Sequence, residues 1–324
     1  MDYDIVATLG PASINTDMWL AMWKAGVSGF RLNSSHLTKE KAFLIINLLR
    51  KTFNGSDKTP YIVIDLQGSK WRLGKFETIN LVEHSLITLK LGVTTTEKDF
   101  LPVPHAEFFK AAEDCDGLIV LNDARSLLKI ESMIGSTISA RVITGGEITS
   151  NKGITLRETK YRVENPNVKD FQIYNRTRDI PAVRYALSYI KDAEEMLRYR
   201  DRFGREQHLI AKIERPEALE DLGEIDQLCD EMWICRGDLG AEIGLSRLAF
   251  SVQNVTKNLR QFAHPVLMAG QVLEHMATFN NPTRSEICHM LDLLTDGYKG
   301  FVLSDETAIG KYPLHTCKTA TMFR

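Results

Sequence analysis

The sequence is poor in the features that would set it apart from ordinary globular proteins. It carries little net charge: 40 Lys and Arg against 42 Asp and Glu leave a formal −2 over 324 residues. A chain so balanced offers no basic field to nucleic acid and no polybasic stretch to a membrane surface. No apolar run is long enough to span a bilayer. The opening MDYDIVATLG shows neither a basic-then-apolar leader nor a small-residue cleavage site. Cysteine is scarce and odd in number, five in all with no CxxC spacing, so neither a disulfide framework nor a zinc or redox pair is expected. The eight histidines form no HxH or HExxH pattern, which argues against a histidine-built metal centre. A reduced, cytoplasmic setting without nucleic-acid or membrane partners is the expectation.

What is present is a rhythm. Short, β-rich apolar runs at Asp4–Leu9, Gly29–Asn33, Tyr61–Gln67, His208–Glu214, Glu231–Arg236, Pro265–Ala269 and Gly300–Ser304 alternate with longer amphipathic stretches. The helical stretches include Thr16–Ala25, Lys39–Phe53, Arg215–Cys229 and Leu245–Ala263. Runs such as YIVIDLQ and LIAKIE are continuous rather than alternating, as in a parallel sheet covered on both faces. Their spacing suits successive βα units, in a closed (β/α)8 barrel or an open doubly wound sheet, and periodicity alone does not separate the two. An eighth strand is expected near Ala182–Ile190, where AVRYALSYI fits strand or helix. Residues 71–156 break the rhythm with short Thr-, Val- and Ile-rich runs, and predict a small antiparallel β domain inserted after the third strand.

On a (β/α)8 barrel, chemistry sits where the strands end. The apolar runs close on Arg31, on Asp65 with Lys70 and Arg72, on Lys212 and Glu214, on Arg236 and Asp238, and on Ser304 to Glu306. One such charge is usually a solvated loop residue; several at one end of one barrel are not so easily dismissed. Two carboxylates from adjacent strands, Glu214 and Asp238, suit Mg²⁺ or Mn²⁺ with positions left open for substrate oxygens. Arg31, Arg72 and Lys212 would balance a transferring phosphoryl group. The bland reading of Glu214 and Arg236 is an ion pair that orders strand ends. Cys235 and the pair Trp19 and Trp23 read most simply as core.

In this order, ATLGPAS (7–13), RLNSSH (31–36), IDLQGSKWRLG (64–74), AKIE (211–214), CRGDLGAEI (235–243), MAGQVLEHM (268–276), NPTR (281–284) and LSDETAIGKYP (303–313) resemble the pyruvate kinase family. The resemblance implies an α/β fold, a (β/α)8 TIM barrel formed by residues 1–70 and 157–324, with 71–156 as an inserted β-rich lid. It implies phosphoryl transfer between phosphoenolpyruvate and a nucleoside diphosphate, with Mg²⁺ or Mn²⁺ and ADP/ATP; a C3-substituted enol phosphate is the expectation from Gly270, where the chain departs from the family. Glu214 and Asp238 would hold the metal, and Lys212 would stabilise the phosphoryl group and the enolate. Arg31 would contact phosphate, with Arg72 beside it. Thr8, Pro11 and His36 would flank the nucleotide, with Asp123 and Lys152 reaching it from the lid. The backbone N–H groups of Gly237 and Asp238 would face the substrate carboxylate, while Ser304 and Glu306 would relay a proton.

Several positions depart from the family pattern. Leu66, Gln67, Lys70 and Leu73 match its K⁺-independent branch, so the Lys70 ammonium is expected to replace the monovalent cation otherwise held by Asn33, Ser35 and Asp65. A threonine near the enolate carbon is Gly270 here, which removes a hydroxyl and opens space at the substrate. The LPG after the lid lysine stands as Leu156-Arg157-Glu158, and the glycine after the family histidine as Leu37. The chain stops at Arg324, and the family's C-terminal regulatory domain is expected to be absent. Two alternatives stay open: a metal-dependent 2-oxo acid aldolase or decarboxylase on the same barrel, and a non-catalytic binding or regulatory protein. The expected partner is a small-molecule phosphate or 2-oxo acid, and assembly with further copies of the chain is allowed.

Overall fold

The computed structural model describes residues 1–55, 58–121, 126–157, 159 and 168–324. The chain begins with β1 (Asp4–Thr8), α1 (Thr16–Lys24), β2 (Gly29–Asn33), α2 (Lys39–Thr52) and β3 (Tyr61–Leu66). There follow β4 (Ile79–Leu81), β5 (Leu86–Leu91), β6 (Phe100–Val103), α3 (Ala106–Ala112), β7 (Leu118–Leu121), β8 (Ser126–Ile134), β9 (Thr137–Thr144), β10 (Gly146–Ile148) and β11 (Ile154–Leu156). The βα rhythm resumes with α4 (Val168–Thr177), β12 (Val183–Leu187), α5 (Ala193–Phe203), β13 (His208–Ile213), α6 (Leu222–Asp226) and β14 (Glu231–Cys235). It ends with α7 (Arg236–Ile243), α8 (Leu245–Asn258), β15 (Val266–Ala269), α9 (Arg284–Asp296), β16 (Gly300–Leu303), α10 (Asp305–Ala308) and α11 (Pro313–Ala320).

Two compact units result. The first comprises Met1–Gly68, Pro166–Arg236 and Ala249–Arg324, the second Ser69–Asn165 and Gly237–Leu248. In the first, eight parallel strands close in the order β1-β16-β15-β14-β13-β12-β3-β2, which decides for the barrel over the open sheet. Closure sets Asp4 of β1 opposite Gly300 of β16. Both strand faces are buried, which is why the strands read as continuous apolar runs. Val6, Val63, Ala186, Ile210, Trp233, Leu267 and Val302 fill the interior. Their neighbours Ile5, Ile64, Leu187, Ala211, Ile234 and Met268 face the helices.

The barrel helices start where side chains can accept orphan N–H groups. Asn15 caps α1, Thr38 caps α2 and Asp192 caps α5. At α9, Thr283 and Glu286 exchange hydrogen bonds as a capping box, and Gly297 at φ +118° ends the helix. The N-terminal end of the barrel is tied by side chains. Arg184 bonds Glu231 at 3.0 Å and lies 3.6 Å over the Tyr61 ring, and the Tyr61 hydroxyl donates to Asp4 at 3.3 Å. Such contacts, at the end away from the strand C-termini, serve stability.

In the second unit six strands run β11-β7-β8-β9-β5-β6, and β10 pairs with β4. Leu89, Leu101, Phe108, Ile119, Leu128, Ile138 and Val142 are among its buried residues. The expected antiparallel domain needs correction: β5 and β6 pair in parallel, and α3 lies between β6 and β7. The helix expected over Arg215–Cys229 is broken into a 3-10 turn at Glu217–Leu219 and the five-residue α6. Pro216 stands just before the 3-10 turn and Gly223 inside α6, and both residue types weaken a continuous helix. The helix expected over Leu245–Ala263 likewise ends at Asn258 and tightens into a 3-10 turn at Leu259–Gln261.

Candidate active site

At the C-terminal ends of β2, β3, β12 and β13, five side chains form one ionic network. Asp65, 2 % exposed, is its hub. One of its oxygens takes Arg31 Nε at 2.7 Å and Arg31 Nη2 at 2.5 Å. The other lies 3.2 Å from Lys212 Nζ and accepts the Ser188 hydroxyl at 3.0 Å. Lys212 donates to Ser188 Oγ and to Glu214 Oε1, each at 2.8 Å. All three donors of its ammonium therefore have partners. Arg31 Nη1 donates to the Thr8 hydroxyl at 2.9 Å.

Sharp turns bring these groups together. Tyr189 is left-handed at φ +63°, and its N–H donates to Glu214 Oε2 at 2.8 Å. Gly68, at φ +64°, lies so close to Ser188 that an added Cβ would stand 2.3 Å from the Ser188 carbonyl oxygen. Any other residue at 68 would push Ser188 away from Lys212 and Asp65. Charge then sets the proton affinities. Burial lowers the Lys212 pKa, but the charges of Asp65 and Glu214 outweigh it and hold the pKa well above the usual lysine range. Burial opposes the Asp65 charge too, yet Lys212 and Arg31 keep its carboxyl below the ordinary value.

A second cluster surrounds the end of β15. Arg236 donates through Nε and Nη2 to the Gly270 carbonyl at 2.9 and 2.6 Å, and through Nη2 to the Gln271 carbonyl at 2.9 Å. Glu306, 1 % exposed, accepts the N–H of Leu273 at 3.2 Å and of Ser304 at 2.6 Å. Burial raises its pKa, so the carboxyl holds its proton more tightly than a solvated glutamate. It ties the turn after β15 to the end of β16. Gly270 adopts φ +83°, which a β-branched residue takes only with strain. Gly270→Thr should therefore cost about 1–3 kcal/mol of stability, read as a lower thermal midpoint. A threonine tolerated at no cost would show that this corner refolds around it.

The remaining expected residues divide between the two units. Pro11 lies exposed in the turn after β1, and His36 is exposed at the end of the 3-10 turn Ser34–His36. Asn33 accepts the Ser35 N–H at 3.0 Å and so caps that turn. In the second unit Lys70 forms an ion pair with Asp238, and an added Cβ at Gly153 would stand 2.6 Å from Lys70 Cε. Asp238 and Gly237 open α7, whose first N–H groups have no partner within the helix. An added Cβ at Gly237 meets no described atom within 4 Å. Arg72 donates to the Asn151 carbonyl at 2.9 Å, and the Lys152 carbonyl accepts the Leu73 N–H at 2.9 Å. Asp123 lies outside the described residues.

Sequence reasoning missed two residues here. Ser188 follows the one strand whose run was ambiguous; once β12 is placed, it holds the same strand-end position as Glu214. Asp170 accepts the N–H groups of Gln67 and Gly68 at 3.1 and 2.9 Å and the Ser34 hydroxyl at 3.4 Å. Burial pushes its carboxyl up to about 6. It fixes the turn through which the chain leaves β3, and no local motif announces it.

The model of the pyruvate kinase barrel domain matches residues 2–317. The chain belongs to the pyruvate kinase family. It is 32 % identical over 313 residues to a pyruvate kinase of Agrobacterium vitis, covering 96 % of this chain and 65 % of that protein. It is 32 % identical over 317 residues to that of Methylorubrum extorquens, with 97 % and 66 % covered. Against that of Mycobacterium tuberculosis the identity is 29 % over 320 residues, with 97 % and 68 % covered. The chain thus spans about two thirds of the length of these curated relatives. Among the described residues no helix is long and apolar enough to cross a membrane, and no disulfide joins any two cysteines.

Proposed function

We propose that the chain transfers a phosphoryl group between phosphoenolpyruvate, or an enol phosphate with a larger C3 substituent, and a nucleoside diphosphate. The observation that carries this is the buried ammonium of Lys212, gathered with Arg31 into one network at the strand ends. Two fixed cations at a partly dehydrated mouth suit a reaction whose catalysis is mostly placement and charge stabilisation. A substrate oxygen must take over one of the ammonium's three contacts, and the longest, to Asp65 at 3.2 Å, is the easiest to exchange.

Glu214 and Asp238, which follow successive strands of the barrel, are the proposed ligands of Mg²⁺ or Mn²⁺. Among the described residues no group of three or more His, Cys, Asp or Glu is placed to hold a metal. The proposed seat is therefore one of two hard oxygen donors completed by substrate and water, as Mg²⁺ accepts. When bound, the metal would polarise the substrate oxygens. Around it, Arg31 would orient the phosphate and Lys212 would stabilise the enolate. The α7 N-terminus at Gly237 and Asp238 would take the substrate carboxylate. Thr8, Pro11, His36, Asp123 and Lys152 are proposed for the nucleotide, and Arg72 for support. The buried carboxyl of Glu306, with Ser304, is proposed for the proton route.

Pyruvate formed from phosphoenolpyruvate, ADP and Mg²⁺ is the expected result. Pyruvate only from oxaloacetate with Mn²⁺ would replace this reading by decarboxylation of a 2-oxo acid. The ion pair of Lys70 supports a further expectation, activity without K⁺. Exchanging tetramethylammonium for K⁺ should change the rate less than about twofold, and strong activation would refute the role given to Lys70. A cytoplasmic location and self-association complete the proposal.

A further inference from the structure

The guanidinium of Arg236 makes a fourth hydrogen bond, to a partner that the proposed chemistry does not use. Its Nη1 lies 2.8 Å from Nε2 of His289, on α9. The other donors already hold the carbonyls of Gly270 and Gln271. Those two residues adopt left-handed conformations in succession, at φ +83° and +55°. Such a turn points both carbonyls toward one donor, and without that donor it stores strain. Because Arg cannot accept a hydrogen bond, Nη1 can bond Nε2 only through the imidazole lone pair. The histidine must be neutral, with its proton on Nδ1.

We propose that His289 is a positioning residue: by accepting from Arg236 it holds the guanidinium on Gly270 and Gln271, and with it the corner of the mouth after β15, only while its ring is neutral. The inference rests on the reading of that corner as part of the substrate site. Protonation would set an N–H against an N–H and a second cation beside the first. Burial and the Arg236 charge both lower the His289 pKa below the ordinary imidazole value, while Asp292 and Asp296 on α9 oppose them. Burial lowers the Arg236 pKa as well, and Glu306, Tyr298 and Glu274, which face it, oppose that shift. The group thus titrates below neutral pH, and the corner is released as pH falls through that titration.

Nitrogen-15 NMR of the whole chain tests this directly. His289 should show the Nδ1–H tautomer and a pKa below 6.5, and Arg236→Gln should raise that pKa. The amide resonances of Gly270 and Gln271 should shift with the same midpoint, and His289→Gln, whose side-chain oxygen accepts without titrating, should abolish that step. In the phosphotransfer assay kcat/KM should fall ~tenfold per pH unit below the midpoint in the parent protein, and this acid limb should vanish in His289→Gln. An Nε2–H tautomer overturns the proposal, as do amides that ignore the titration. If the amides follow it but the acid limb is unchanged in the variant, His289 shapes the corner without positioning substrate, and the proposal also falls. Absence of phosphotransfer in any protein condemns the proposed function instead, and the amide titration then still decides whether His289 governs the corner.

Discussion

Lys212→Met should lower kcat for phosphotransfer from phosphoenolpyruvate by about a thousandfold or more, with KM changed only a few fold. The ammonium is proposed to act on charge that develops during the reaction, so its loss should appear in turnover rather than in binding. The same substitution leaves the Glu214 carboxylate buried without its ammonium and takes one of two cations from Asp65. A stability cost of about 3–5 kcal/mol is the usual result of breaking such a buried pair from one side. Lys212→Arg separates the two effects. It restores charge but not a compact ammonium, so it should recover most of the stability and little of the turnover. A Lys212→Met protein that folds and turns over within tenfold of the parent would remove lysine from the proposed chemistry.

Asp65→Asn is expected to be as destabilising as Lys212→Met, again about 3–5 kcal/mol at neutral pH. It takes from Arg31 the carboxylate it is paired with and leaves Lys212 with Glu214. The pH dependence follows from the direction of the Asp65 shift. Its folded pKa lies below the ordinary value, so its stabilisation is complete above about pH 4, the unfolded value, and is lost as pH falls through the folded one. Urea midpoints of parent and variant should therefore differ widely at pH 7 and converge in strong acid. A gap that stays constant from pH 7 to pH 3 would mean that Asp65 acts through packing and not through charge.

The barrel was largely legible in the sequence because burial on both faces writes a parallel strand as an uninterrupted apolar run. Seven strands stood out for that reason. The eighth, β12, did not, because Arg184 and Ser188 interrupt AVRYALSYI with side chains whose partners, Glu231 and Asp65, lie on other strands. Strand ends located Arg31, Asp65, Lys212 and Glu214, and the structure joins them in one network. It could not be read from sequence that the Thr8 hydroxyl accepts from Arg31, or that Glu306 accepts two backbone N–H groups. Both depend on loop paths and not on residue type. The parallel pairing of β5 with β6 was equally hidden, since short alternating runs do not record which way a neighbour points.

Closure of the ring through β1 and β16 has a consequence for how the chain reaches this state. The first strand has only one of its two neighbours until the last is made, because Asp4 waits for Gly300. The pairing of Ile62 with Val183 likewise waits for the whole insertion to be synthesised. On the ribosome, β1 therefore emerges with an apolar edge that nothing yet covers, and contacts so distant along the chain make folding slow. Refolding from urea should be limited by this final closure, leaving a collapsed, open ring as the species most exposed to aggregation.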